Sequence, residues 1–359
     1  MTQPTGLIVD VESSQPLAAS AAKGTKRLTF VRVLALVAIA VTSAQVVDHF
    51  AITAPFCGGD LGCSSVTSTG FARPLGIPLS VLGLGAFTAY LGLSLMSGRP
   101  ARTVLGWASI VAGAVGIGLI LVQKYQIQQY CPLCLVIDSA GILMAVTDFF
   151  FPLAVASPAT GRRGPWISAA AVLAMAPAVW FQFQPDPVAP DYVRERWIDG
   201  KVNIVEVFDF DCVFCRDTHP VLKEVLAKAG DDIHFVRIPL AMDPNGLSKQ
   251  AGQIYLAAER TGTGEQVADK LMEGEQLTQE LITAAGGSEA TANEAIGAEI
   301  DRANAAYHAS SHKGLPQIWV NNLLLIGASE KGRIEAAIGK ARSKVETQQA
   351  KQQASEPTR

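Results

Sequence analysis

The sequence predicts a membrane-spanning, all-α first part followed by a soluble α/β domain, and three observations carry that reading. The 359 residues are 49% hydrophobic types and 17% charged, too apolar on average for one soluble globule and too polar for a chain embedded throughout. Charges are rare over 28–183 and return to ordinary soluble density from Asp186 onward. Six cysteines fall in three close pairs with none left over. A net charge of −3 without any basic block argues against nucleic acid as a partner.

Residues 1–27 are rich in Ser, Ala, Gly and Pro and end in Lys23, Lys26 and Arg27, which predicts a disordered cytosolic tail. Uncharged runs then cover 33–47, 74–98, 103–123 and 164–185, and a fifth, 125–161, is broken only by Asp138 and Asp148. A spanning helix needs about 20 apolar residues. Four runs meet that length, and the first does so from Leu28 if Arg32 snorkels. The expected layout is four spans within 28–155 and a fifth, linking span at 164–184. Lys and Arg mark alternate connections: Lys23, Lys26 and Arg27, then Arg99 and Arg102, then Arg162 and Arg163. Those connections face the cytosol, so the 56–71 loop, the 124–130 junction and everything after Gln184 lie outside.

The stretch 185–191 is a proline-rich, stiff linker. Runs 192–198 and 201–208, joined by Asp199-Gly200, read as a hairpin. Helix is predicted over 213–229, strand over 233–238, and a long helical stretch over 244–309. A closing hairpin, 317–320 with 323–326, turns at Asn321-Asn322. A last helix from Ser329 frays into a Gln-rich tail, which makes 192–345 the domain and 346–359 a flexible end.

Cys57 and Cys63 lie in the first outer loop, Cys131 and Cys134 form CPLC, and Cys212 and Cys215 form CVFC. The topology puts all three pairs on one side of the membrane. For the loop pair alone, a structural disulfide in an oxidising compartment is as good a reading as a redox role. A CxxC loop is too short to constrain much unfolded chain, so two of them favour redox work. Zinc needs four converging ligands, and neither CxxC has a second Cys or His pair nearby, so no metal is expected. Cys212 follows a strand and opens a helix, where unpaired N–H groups and the helix dipole stabilise a thiolate. It is the expected attacking sulfur, with Cys215 resolving one turn inside.

FDFDCVFC (208–215), the helical insert after the second strand, and GLPQIWV (314–320) resemble the thioredoxin fold, specifically DsbA-like oxidoreductases. The resemblance implies a cis peptide before Pro316, packed against the dithiol. It also implies a buried acid at Glu206 that accepts or donates the proton of Cys215. His219 reads as a surface residue of the first helix.

The Cys57/Cys63 loop, FARPLGIPLSVLG (71–83) and CPLC resemble the bacterial vitamin K epoxide reductase family, whose members are often fused to a thioredoxin-like domain through an extra span. That resemblance implies a four-helix bundle around a quinone, ubiquinone or menaquinone, with Cys134 beside the ring and the loop cysteines shuttling electrons to CPLC. Where the family has a serine six residues after the second loop cysteine, this chain has Thr69, with Ser68 adjacent. Some relatives have a tyrosine where Asp138 stands. An ionisable group four residues after Cys134 and inside a span reads by default as functional, a proton source for the reduced quinone, or else as a polar interhelical contact.

The two resemblances together imply a disulfide-forming oxidase of the bacterial inner membrane. Its substrates would be reduced exported proteins and its electron acceptor the membrane quinone pool. A quinol-driven reductase or isomerase, and a membrane-tethered thiol-binding chaperone module, are the competing readings.

Overall fold

A computed structural model describes residues 15–57, 63–67, 69–96, 98–150, 163–242, 246–274, 276–286, 294–327 and 329–355. The chain divides into two compact units. Unit one holds residues up to Val46, 75–128 and 132–180; unit two holds 47–74, 129–131 and everything from Phe181.

The first part is helical: α1 (Gln15–Phe50), a short α2 (Cys63–Thr67), α3 (Leu79–Ser94), α4 (Arg99–Val122), α5 (Pro132–Phe150) and α6 (Arg163–Gln182). Lys26–Phe50, Arg99–Ile127, Pro132–Phe150 and Arg163–Gln182 are long and apolar enough to cross a membrane. The second expected span is shorter. Pro74 and Pro78 and a 3₁₀ turn at Pro74–Gly76 delay the start of α3, leaving 16 residues. At the amino end, α1 already begins at Gln15, inside the segment read as a tail, because its run of alanines favours helix. Residues 1–14 and 151–162 lie outside the described residues.

Unit one is cored by Val31, Ala35 and Ile39 of α1, Phe87 and Leu91 of α3, Leu105 of α4, and Ala140 and Met144 of α5. Exposed apolar side chains such as Trp107, Val111, Leu143, Ile167 and Met175 cover its outer faces, as lipid contact requires. Helices α4 and α5 approach each other closely. A Cβ on Gly116 would stand 2.8 Å from the Asp138 carbonyl oxygen, and one on Gly141 2.9 Å from that of Ala112. These glycines let the backbones touch.

Arg27, Arg32 and Asp148 of unit one each have a polar partner. Arg32 does not snorkel: it is buried and donates from Nη2 to the Ser94 carbonyl at 2.6 Å and from Nε to the Ser94 hydroxyl at 3.2 Å. It thereby satisfies a carbonyl that the end of α3 leaves open. Asp148 forms a buried ion pair with Arg27 and accepts from Ser109, which also meets the Tyr90 hydroxyl at 2.9 Å.

In unit two the order is α7 (Asp191–Arg194), β1 (Val202–Asp209), α8 (Val213–Leu226), β2 (Ile233–Leu240), α9 (Leu247–Glu259), α10 (Gly264–Leu271), α11 (Gln279–Ala284), α12 (Glu294–Ala309), β3 (Gln317–Val320), β4 (Leu323–Ile326) and α13 (Lys331–Ser355). The sheet order is β2-β1-β3-β4, with β1 parallel to β2 and the other pairs antiparallel. This is the sheet of a thioredoxin-like domain, with α9–α12 as its helical insert.

Two sequence expectations change here. The first arm of the expected hairpin, 192–198, is not a strand: Pro190 leads into the helical turn α7, and β2 and β3 already occupy both edges of β1. The Asn203 side chain bonds the backbone of Ile198 instead, accepting from its N–H at 2.7 Å and donating to its carbonyl at 3.0 Å. The Gln-rich end continues α13 to Ser355 rather than fraying at 346.

Candidate functional site

β1 is buried along its whole length and carries the chain to the CVFC turn. Asp209 shapes that turn: its carboxylate accepts from the Asp211 N–H and the Met242 N–H, each at 2.7 Å, and from the Ser248 hydroxyl. Cys212 is the N-cap of α8, and its sulfur accepts from the Cys215 N–H at 3.4 Å. A sulfur in that position faces the unpaired amides of the helix start. Cys215 is wholly buried, and burial first, then the Cys212 sulfur beside it, pushes its thiol well above the ordinary value. Gly314, at φ +92°, and a cis Leu315–Pro316 peptide form the opposing loop, and Leu315 packs on the same apolar cluster as Cys212 and Cys215.

Glu206 lies on an inner strand, fully buried, and is ion-paired with Arg237 (Oε2 to Nε 2.6 Å). Sequence reasoning missed Arg237, because its link to Glu206 crosses strands. Arg237 also pairs with Glu265 and donates from Nη2 to His219 Nδ1 at 3.2 Å. An arginine can only donate, so this network assigns the His219 proton to Nε2, which faces Asp269 Oδ1 at 3.0 Å. His219 is therefore buried in a polar chain and is not the surface residue expected.

The second cysteine group is a cluster of three. The sulfurs of Cys57, Cys63 and Cys131 all lie within 4.8 Å of one another, and all three residues are buried. Cys63 Sγ stands 3.1 Å from Cys131 Sγ. Hydrogen bonds to the Cys131 and Cys63 sulfurs, followed by burial, push the Cys57 thiol far above its usual range. Sequence spacing had paired Cys57 with Cys63 and Cys131 with Cys134; a sulfur shared between the pairs is a tertiary fact. Three thiols could ligate a soft metal ion, though a closed zinc site needs a fourth ligand.

In unit one, Cys134 is half-buried and its sulfur accepts from Gln45 Nε2 at 3.1 Å. Asp138 is buried one turn further along α5, and Gln123 Nε2 lies 3.4 Å from its Oδ2. Neither glutamine was singled out by the sequence, although both are polar residues within or at the end of an apolar span. Thr69, in unit two, spends its hydroxyl hydrogen on the Val66 carbonyl at 2.8 Å, so here it holds its own turn. Ser68 lies outside the described residues.

Apolar spanning helices with a CxxC at the start of one, followed by a thioredoxin fold with a second CxxC, define a membrane-anchored dithiol protein. Residues 29–149 match the model of the vitamin K epoxide reductase family, and residues 198–318 match a thioredoxin model. The chain carries a vitamin K epoxide reductase domain followed by a thioredoxin-like domain. The thiol:disulfide interchange protein DsbA of Pseudomonas aeruginosa is 31% identical over 74 residues, 21% of this chain and 34% of that protein. The chain thus spans about a third of the length of the curated relatives it matches. Among solved structures, a periplasmic thioredoxin-like protein from Salmonella enterica serovar Typhimurium is 20% identical, covering 43% of this chain and 97% of its own, with a TM-score of 0.38. Pseudomonas aeruginosa DsbA is 22% identical, covering 48% and 92%, with a TM-score of 0.34.

Proposed function

We propose that this chain is a membrane thiol–disulfide oxidoreductase that forms disulfides in exported proteins and passes the electrons inward to a quinone. The observation that carries the reading is the meeting of Cys57, Cys63 and Cys131 sulfurs within 4.8 Å. Disulfide exchange needs a thiolate to reach the disulfide sulfur it attacks, and structural disulfides of independent purpose have no reason to share a third sulfur.

The electron path follows. A substrate thiolate attacks Cys212 of the Cys212–Cys215 disulfide, Cys215 leaves, and a second substrate thiol displaces Cys212, which leaves the substrate oxidised and CVFC as a dithiol. That dithiol reduces the Cys57–Cys63 disulfide in the same two-step manner. Cys63 then attacks Cys131 of the Cys131–Cys134 disulfide, Cys134 leaves, and Cys57 displaces Cys131, so that the loop disulfide re-forms and CPLC holds two electrons and two protons. Glu206 and Arg237 keep a compensated charge pair beneath Cys215, whose proton must leave during exchange.

The donor set around Cys134 fits a quinone. The Gln45 and Gln123 amides and the Cys134 thiol can donate to carbonyl oxygens, and Asp138 is an ionisable group buried one turn from Cys134. When bound, a quinone supplies two-electron, two-proton acceptance, which returns CPLC to its disulfide. Asp138, with Gln123 Nε2 3.4 Å from its Oδ2, is placed to relay a proton given up by the CPLC dithiol.

Thiol trapping of the three pairs in membranes with and without quinone tests the proposal. All three pairs should be oxidised with quinone and should accumulate as thiols, CPLC included, when quinone is depleted and a reduced substrate protein is supplied. Thiol states that ignore quinone would sink it.

A further inference from the structure

The loop that carries Cys57 is gripped by the thioredoxin-like domain at positions that hold no cysteine. Arg333, in the first turn of α13, donates from Nη2 to the Ala51 carbonyl at 3.0 Å and to the Ile52 carbonyl at 2.9 Å. At the far end of the same loop, Arg73 is ion-paired with Glu330, just before α13. The Ile52 side chain packs against the apolar cluster built by β1, β3, β4, α8 and α13. At the end of α1, Asp48 accepts from the Phe56 N–H of the loop at 2.9 Å, and its charge acts on Arg333.

This arrangement is not explained by the stability of either element alone. The Arg333 guanidinium spends its donors on loop backbone, and its Nε is buried with no hydrogen-bond partner among the described residues. Leaving a buried donor unpaired is costly, so the site is shaped around the loop rather than around α13. Glu330 and Arg333, three positions apart, hold the two ends of a segment whose middle bears Cys57 and Cys63. Backbone carbonyls are recognised by path, not by side chain, so the Arg333 contact reads the course of the chain at Ala51 and Ile52.

We infer that Arg333 and Glu330 are a docking handle, positioning residues by which the thioredoxin-like domain seats its own shuttle loop and so directs the electrons of Cys212 and Cys215 into Cys57 and Cys63 in preference to other acceptors. The inference rests on the relay proposed above. Holding the two partners together replaces a bimolecular encounter with an intramolecular one, which is where such contacts gain rate.

The test uses the full-length protein in quinone-containing liposomes, with two electron donors compared. One donor is a reduced substrate protein, which enters through CVFC; the other is dithiothreitol, a small dithiol able to reduce the loop disulfide directly. Arg333→Gln should slow quinone-dependent reoxidation of CVFC by about tenfold or more, and Arg333→Lys should slow it less. The dithiothreitol-driven rate should keep its wild-type value in both. Arg73→Glu and Glu330→Arg should each slow CVFC reoxidation, and the double charge exchange should restore it. Unchanged CVFC reoxidation in Arg333→Gln overturns the handle, as does an equal loss with dithiothreitol, because the loop itself would then be damaged. Failure of the relay is separately visible: Cys57→Ala would leave CVFC reoxidation at its wild-type rate with Arg333 intact.

Discussion

Glu206 and Arg237 are register partners on the parallel strands β1 and β2, and their side chains meet in a fully buried ion pair at 2.6 Å. Taking two charges out of water is repaid only while both are present. Arg237→Met should therefore cost about 3–5 kcal/mol and Glu206→Met a similar amount, whereas the double Met variant should recover most of the loss. Thermal unfolding of the four proteins in one detergent reads this directly; additive losses would mean the pair is not coupled.

The sulfur cluster makes a statement about a trapped intermediate. Cys134→Ala leaves Cys131 without its CPLC partner, so the Cys131 thiolate, 3.1 Å from Cys63, attacks Cys63 of the Cys57–Cys63 disulfide, Cys57 leaves as a thiol, and no CPLC thiol remains to resolve the Cys63–Cys131 bond. Non-reducing peptide mapping under turnover should find Cys63 joined to Cys131 and turnover lost. Cys57 joined to Cys63 with Cys131 as a thiol would mean the order of exchange is different.

Burial of Cys215 has a pH consequence for the reduced protein. Its folded thiol titrates well above the ordinary value, while in the unfolded chain it ionises near about 8.5. Above that pH the unfolded state binds fewer protons than the folded state, so stability present below it is lost as pH rises, by about 1.4 kcal/mol per pH unit per such thiol. Melting temperatures of the reduced protein should fall between roughly pH 8.5 and 10, and Cys215→Ala should flatten that slope. A slope unchanged by the substitution would assign the effect to other groups.

Two glycines on one helix separate packing from composition. A Cβ at Gly116 would lie 2.8 Å from the Asp138 carbonyl, while one at Gly118 meets nothing within 4 Å. Gly116→Val should cost about 1–3 kcal/mol through overpacking and reduce activity by shifting Asp138. Gly118→Ala should be silent. Equal behaviour of the two variants in unfolding and turnover assays would show that α4 and α5 are not in tight contact.

Much of this was legible in the residues themselves. Hydropathy located the spanning runs, and the period of the strands found β1 to β4 nearly to the residue, because both signals are local. The two CxxC spacings pointed to redox chemistry, whereas the spacing of Cys57 and Cys63 alone fitted a structural disulfide equally well. What the chain did not announce was every relationship across long separations: Arg32 with Ser94, Glu206 with Arg237, Cys63 with Cys131, Arg333 with Ala51. The hairpin expected at 192–198 failed for the same reason, since the edges of β1 were already taken by strands remote in sequence. Thr69 and Asp138 stood out by position, but what their polar atoms touch depends on a loop turn and on a glutamine of another helix.

The brevity of α3 bears on the lipid around it. Its 16 residues, at about 1.5 Å each, cover roughly 24 Å, against about 30 Å of hydrocarbon in a typical bilayer. A mismatch of that sign is met by local thinning of the membrane or by polar groups carried inward. Arg32, closing the end of α3 at Ser94, is such a group: it supplies from the protein the hydrogen bond that headgroups or water would otherwise have to bring. Thicker membranes should therefore stress this corner of the molecule before any other span feels them.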